Sequence, residues 1–596
     1  MIRTFAKDCR NRFGIRPFLL VLSVIIGIFS ALAAALLHTL VDKLEKVGLE
    51  IDSSTELWEG KLAWLSVIMF VPFAGIFLSY LVQHWLGGAR YAKSLSPLIL
   101  ALNRRKVWIQ FREVFTHLLS SAFSVGCGGS AGLEAPSVLT GAAIGSTSGS
   151  FFGVDKRHRI LLIACGAASA ISAIFNSPVG GVLFAVEVLL PEFSVGALVP
   201  MLMASGVAAV ISRLIVPEAS VSMLKVTADY QPVAIPFYIL LGVVCAFIGI
   251  YIIRSCYFLG SFLRKKFVGA WSRLCAGGIM LCVILTIFPI LRGQGYLFIA
   301  ETFNGNTDKL ISAAPLLRWI EPDTVTLVIL LLAAVFLKTV ASVLTVDSGG
   351  DGGVFAPTMF VGAFTGFAFA RLVNLTGLVE LNEANFLVAG MCGVFTTVMR
   401  APLTGVFLIA EVCGGYILLV PLMIVSALSW MFSRPYEPNS IYRKVLIENK
   451  LLSDDPDLAM LKRLPVRLNL DDSAPHILPE TSVMSAAFVL EECSSCRIFP
   501  VVDSNGVLQG TVSRHALNAA LIDQAVSREL VVFDLIKKPY GTVSPDDDLA
   551  LAMKKIEKRN VTFLPVVNSN GIFRGFVFKD VIFEQYRRLV RESETF

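Results

Sequence analysis

Gly132-Leu133-Glu134-Ala135-Pro136 returns as Gly353-Val354-Phe355-Ala356-Pro357, an offset of 221 residues (353 − 132), and the reading of this pair decides the fold. The order persists downstream. Gly141 and Gly145 match Gly362 and Gly366, and Pro178 through Glu187 matches Pro402 through Glu411 at an offset of 224 (402 − 178). The chain as far as about Phe432 is therefore two copies of one unit. In each copy glycine lets the backbone approach a ligand, and the following proline suits the first turn of a helix, where its missing N–H costs nothing. Each stretch thus starts a helix whose free N–H groups and positive dipole end, held away from water, attract an anion.

Glu134 sits at the first of these helix starts, where an ionised carboxylate occupies the anion position and a protonated one leaves it. The competing reading is an N-terminal capping acid, but an acid inside a membrane points to function. Phe355 replaces it in the second copy, so two helix starts share one gate. The run from Ser348 to Pro357 is glycine-rich, but no Gly-Lys-Ser/Thr follows, which argues against a phosphate loop.

The surroundings are membrane. The 596 residues are 55% hydrophobic and 16% charged, and runs of the roughly 20 apolar residues that span a bilayer begin at Phe18 to Leu40 and Leu62 to Val82. They continue at Val195 to Val216 and Pro236 to Leu263 and recur to about Phe432. Such repeats commonly run in opposite directions across the bilayer, with a site at midplane where broken helices converge, so an inverted repeat is expected. Arg3, Lys7, Arg10, Arg12 and Arg16 against Asp8 precede the first run and suit a cytoplasmic start and a retained helix. The net charge of +6 is dispersed and calls for no nucleic-acid partner. The histidines His38, His84, His117, His158, His476 and His515 have no ligand spacing, so no metal site is expected and a membrane enzyme has no catalytic cluster to use. Of eleven cysteines most lie in apolar segments; the tight pair Cys493 and Cys496 is expected to be a chance spacing rather than a redox or zinc motif.

From Arg434 charged residues become frequent and apolar runs short, as in a soluble α/β region. A second repeat appears there, Phe499 to Gly506 against Leu564 to Gly571, an offset of 65 (564 − 499). Each copy reads as a Pro-Val-Val strand, an Asn-Gly turn and a second strand, preceded by a helix such as Leu549 to Lys558. Two β-α-β-β-α units follow.

Taken with Arg400-Ala401-Pro402-Leu403-Thr404-Gly405 and Ser440-Ile441-Tyr442, these motifs resemble the CLC chloride channel and transporter family with a C-terminal pair of CBS modules. The resemblance implies a polytopic α-helical membrane domain followed by a soluble α/β pair: a cytoplasmic N-terminus at 1–16, a membrane domain at 17–433 with halves near 17–220 and 230–433, a linker at 434–465, and CBS modules at 466–525 and 530–590. It implies a homodimer in the lipid bilayer, N- and C-termini cytoplasmic, in the plasma (inner) membrane, carrying chloride with no required cofactor. Glu134 matches the gating glutamate. Phe355 and Tyr442 match the aromatic residues around the central chloride, joined by the amides of Val354, Phe355 and Ala356.

Three departures from the family pattern matter. The Gly-Ser-Gly-Ile-Pro motif becomes Lys93-Ser94-Leu95-Ser96-Pro97, which leaves Ser94 as the chloride-contacting serine and Ser96 as its competitor. The second of two adjacent glutamates, the internal proton acceptor of proton-coupled members, is Val188. This favours a gated passive channel, with a proton/chloride antiporter as the alternative and a CBS-containing divalent-cation transporter as a distant one. Glu187 and Glu411 read as structural acids, and Lys338 as an intramembrane charge balancing a carboxylate. In the CBS pair the ribose-holding Ser/Thr-x-x-Asp is split, with Ser513 lacking its acid and Asp580 lacking its hydroxyl. An adenine nucleotide at Asp580 stays open beside a purely structural dimerisation module.

Overall fold

The computed structural model describes residues 14–594 apart from 57–60, 89–90, 92, 105–107, 191–194, 217–223, 308–309, 311–323, 453–460, 463, 494 and 523–529. Arg3, Lys7, Asp8, Arg10 and Arg12 lie outside the described residues. The chain divides into two units, Met1–Leu451 and Leu452–Phe596.

In the first unit, helices α1 (Ile15–Glu56), α2 (Lys61–Val82), α3 (Ser96–Asn103) and α4 (Arg112–Gly126) lead into the first copy of the motif. That copy forms α5 (Glu134–Phe151), α6 (Lys156–Phe175), α7 (Pro178–Phe184), which runs on into a π-helical turn (Ala185–Leu189), and α8 (Val195–Ile215). After α9 (Ile235–Lys266), α10 (Ala270–Ile287), α11 (Tyr296–Phe303) and α12 (Thr324–Asp347), the second copy repeats the order as α13 (Phe355–Leu375), α14 (Glu383–Met399), α15 (Pro402–Val412) and α16 (Leu419–Ser433). Helix α17 (Ile441–Glu448) closes the unit. Eight helices among the described residues are long and apolar enough to cross a membrane. Their bounds track the apolar runs of the sequence because in lipid every backbone polar group must be bonded within the helix.

The repeated glycines hold the helix pairs together. A Cβ on Gly141 would fall 2.2 Å from the Gly166 carbonyl oxygen, and one on Gly362 2.5 Å from that of Gly390. Helices α5 and α6, and again α13 and α14, therefore touch backbone to backbone, the small-residue packing that membranes favour. The copies meet at their starts, where Gly132 and Gly353 pair antiparallel and exchange both backbone hydrogen bonds at 2.8 Å.

In the second unit, β1 (Ile498–Val502) pairs antiparallel with β2 (Leu508–Ser513), and β3 (Phe563–Val567) with β4 (Phe573–Phe578). Gly506 and Gly571 turn each hairpin at φ 79° and 77°, the left-handed region that the Asn-Gly turns require. Helices α18 (Val483–Glu492) and α20 (Leu549–Arg559) precede the hairpins; α19 (Arg514–Ile522) and α21 (Lys579–Glu594) follow them. The leading strand of each β-α-β-β-α unit is reduced to one parallel bridge, Ile477 to Val501 and Val543 to Val566. Cys493 and Cys496 form a disulfide, which corrects the reading of that spacing as chance. The end of α18 brings the pair within bonding range.

Candidate anion site

Glu134 begins α5 but does not cap it, since that helix start has no side-chain cap. Its wholly buried carboxylate turns instead across the repeat boundary. Oε2 accepts the Ala356 N–H at 3.4 Å, and Oε1 accepts the Tyr296 hydroxyl at 2.7 Å. The carboxylate thus lies on the N-terminus of α13, where a dipole end and free N–H groups attract negative charge. Gly132 makes the approach possible, because a Cβ there would stand 2.0 Å from Glu134 Oε2.

Phe355, at the same helix start, is buried in an aromatic cluster with Phe395 at 4.8 Å, Phe175 at 5.3 Å and Phe184 at 5.9 Å between ring centroids. The Glu134 carboxylate itself is wholly buried, so its charge interactions take place in a low-dielectric surrounding where they are strong. Val354 flanks the same start, its carbonyl accepting the Thr358 N–H and hydroxyl at 2.9 and 2.6 Å.

A second group forms where α3 meets α17. The Ser96 hydroxyl donates to the Tyr442 carbonyl at 2.9 Å, while Ser94 Oγ accepts the Ser96 N–H at 3.3 Å, leaving the Ser94 hydrogen to donate elsewhere. Tyr442 is buried, and its phenolic oxygen has no partner among the described residues. A buried phenol without an acceptor costs free energy unless something accepts its hydrogen, and an anion would.

Two other intramembrane acids, Glu187 and Glu411, form a reciprocal pair. Glu187 accepts Leu403 N–H at 3.1 Å, Thr404 N–H at 2.8 Å and the Thr404 hydroxyl at 2.7 Å, capping α15. Glu411 accepts Val179 N–H at 3.1 Å, Gly180 N–H at 3.0 Å and the Ser177 hydroxyl, capping α7. Each copy's glutamate closes the other copy's helix, which fits structural acids. Val188 is buried in the π-helical turn beside Glu187. Lys338 departs from expectation: its Nζ donates to the Leu291 and Gly293 carbonyls at 3.0 and 2.9 Å and stands 4.8 Å above the Phe360 ring. Carbonyl dipoles and a π face, not a carboxylate, surround that charge. In the second unit Ser513 caps α19 through Ala516 N–H at 3.2 Å, and Asp580 is exposed in the first turn of α21.

Tyr296 and the rings of Phe175, Phe184 and Phe395 escape a reading of the sequence. Only a fold brings residues 162 positions apart into a hydrogen bond.

The family model described as voltage gated chloride channel matches residues 74–434. The chain belongs to the CLC family. A CBS-domain model matches residues 532–584. The H(+)/Cl(-) exchange transporter ClcA of Vibrio vulnificus (strain YJ016) is 26% identical over 442 residues, 70% of this chain and 88% of the relative. The chloride channel protein CLC-e of Arabidopsis thaliana is 25% identical over 572 residues, 85% of this chain and 77% of the relative. Among solved structures a slow cyanobacterial Cl-/H+ antiporter matches with a TM-score of 0.63 at 22% identity, covering 74% of this chain and 99% of that one. The chain is thus a multi-pass integral membrane protein of CLC fold with a C-terminal CBS region, in a family of anion transporters and channels.

Proposed function

We propose that this chain exchanges chloride for protons across a lipid bilayer, with Glu134 as the group both ions compete for. The observation that carries the reading is the Glu134 carboxylate lying on the N-terminus of α13, over the Ala356 N–H. An anion suits that position, and a carboxylate that yields it on taking a proton couples the two ions. Chloride would lie among the amides of Val354, Phe355 and Ala356, the Ser94 hydroxyl and the Tyr442 phenol. The exchange transporter ClcA and the cyanobacterial antiporter support coupled exchange. Passive gated conduction becomes the second reading, favoured by Val188, which cannot take a proton, and by the relative named a chloride channel. We extend the proposal to a homodimer with cytoplasmic termini in the plasma (inner) membrane.

Glu134→Gln tests the gate in liposomes. It should leave chloride efflux nearly independent of pH, while the unchanged chain opens as pH falls; identical pH profiles would remove Glu134 from this role.

A further inference from the structure

Asp351 is wholly buried in the loop ahead of α13, and three groups converge on one of its oxygens. These are the Tyr91 hydroxyl, Ser120 Oγ at 2.5 Å and His117 Nδ1 at 3.2 Å. Its second oxygen, Oδ1, has no partner among the described residues, and neither has His117 Nε2, although both are buried. The hydrogens settle the tautomer. Tyr91 and Ser120 both spend their hydroxyl hydrogens on Asp351, so His117 Nδ1, 2.8 Å from the Tyr91 oxygen, must carry its own. In the neutral imidazole Nε2 is then the nitrogen with a free lone pair. Nε2 and Oδ1 are thus two buried polar atoms, each without a partner among the described residues, on one hydrogen-bonded pair.

Buried hydroxyls occupy the chain between this pair and the gate. His117, Ser120 and Ser124 lie along one face of α4, a rise of about 10 Å over seven residues. Ser124 Oγ is buried without a partner, and so is Ser130 Oγ in the loop that runs on to Gly132 and Glu134. On the other side Asp351 precedes Gly353, whose backbone is bonded to Gly132. Ala356 lies five positions after Asp351, a reach of at most about 18 Å.

We propose that His117 and Asp351 form a proton-binding site that exchanges protons with Glu134 along the Ser124 and Ser130 hydroxyls, a role that Val188 cannot fill. The inference rests on the exchange reading. Lys93 faces Asp351, with Asp347 and Arg273 near it and Arg264 paired to Asp347. Glu113 lies near His117 and Arg112 on α4 itself. Of the helices packed on α4, α1 brings His38, Asp42 and Glu45, α2 brings Tyr80, and α5 brings Glu134.

The test measures protons moved per chloride in liposomes holding the full chain, for the unchanged protein, Asp351→Asn and His117→Asn. Asparagine at 117 keeps a donor near the Nδ1 position but cannot titrate, so it decides the question if Asp351→Asn does not fold. A fall of about tenfold or more in protons per chloride supports the site. An unchanged ratio in His117→Asn, or proton and chloride flux falling in equal proportion, overturns it while leaving exchange in place. Chloride flux without proton movement in the unchanged chain overturns the exchange reading, and this site with it.

Discussion

Replacing Tyr296 with phenylalanine removes one oxygen from the gate and little else. The ring keeps its edge-on contact with Phe175, at 6.2 Å between centroids, while Glu134 Oε1 loses the hydroxyl that donates to it at 2.7 Å. Both residues are buried, so no water replaces that donor. A hydrogen bond to a charged group contributes about 1.5–3 kcal/mol, and the Ala356 N–H at 3.4 Å is too long to compensate fully. The ionised, closed gate should therefore weaken by that amount relative to the protonated one. Because about 1.4 kcal/mol corresponds to one pH unit, half-activation of chloride flux should move to higher pH by about one to two units. Flux at a fixed neutral pH should rise accordingly. Chloride efflux from liposomes over a pH series measures the midpoint. A midpoint within a few tenths of a unit of the unchanged protein's, or one shifted to lower pH, would refute the claim that Tyr296 holds the gate closed.

The reciprocal caps predict that Glu411→Ala leaves the Val179 and Gly180 N–H groups and the Ser177 hydroxyl without an acceptor. Stability should fall by about 2–4 kcal/mol, seen as a lower thermal midpoint in detergent, and an unchanged midpoint would contradict the cap. Glu437 supplies a pH-dependent case. Burial pushes its carboxyl up, but hydrogen bonds and charges from Lys444 and Arg254, both at 2.8 Å, outweigh that and hold it below the usual carboxylate range. Its stabilisation is thus full above the unfolded value of about 4.3 and is lost as pH falls below it. The thermal midpoint of Glu437→Gln should trail the unchanged chain's at neutral pH, and the gap should begin to close near the unfolded value of about 4.3 and vanish as pH falls through the lowered folded value; a gap that persists in stronger acid would show a different origin.

What the sequence revealed follows from where the physics is local. Apolar runs, the paired Gly-x-x-Ala-Pro starts and the two Asn-Gly hairpins depend on neighbouring residues, so α1, α2, α8 and α9 and the hairpin turns could be read directly. Glu134 was legible because an acid at a helix start inside a membrane is rare. Tyr296 was not, since a single tyrosine in a short helix gives no sign of a partner far along the chain. Lys338 misled for the same reason: composition shows a charge, whereas the carbonyls of Leu291 and Gly293 that satisfy it belong to backbone without a side-chain signature. The same limit hid His117 and Asp351, which lie 234 positions apart and meet only in the fold.

Proton movement driven by a chloride gradient tests the central claim most directly. With the full chain in liposomes of low buffering capacity and the membrane voltage clamped, an imposed chloride gradient should drive protons uphill, in the direction opposite to chloride. Sustained chloride flux with no accompanying proton movement would contradict coupled exchange and leave passive conduction as the activity.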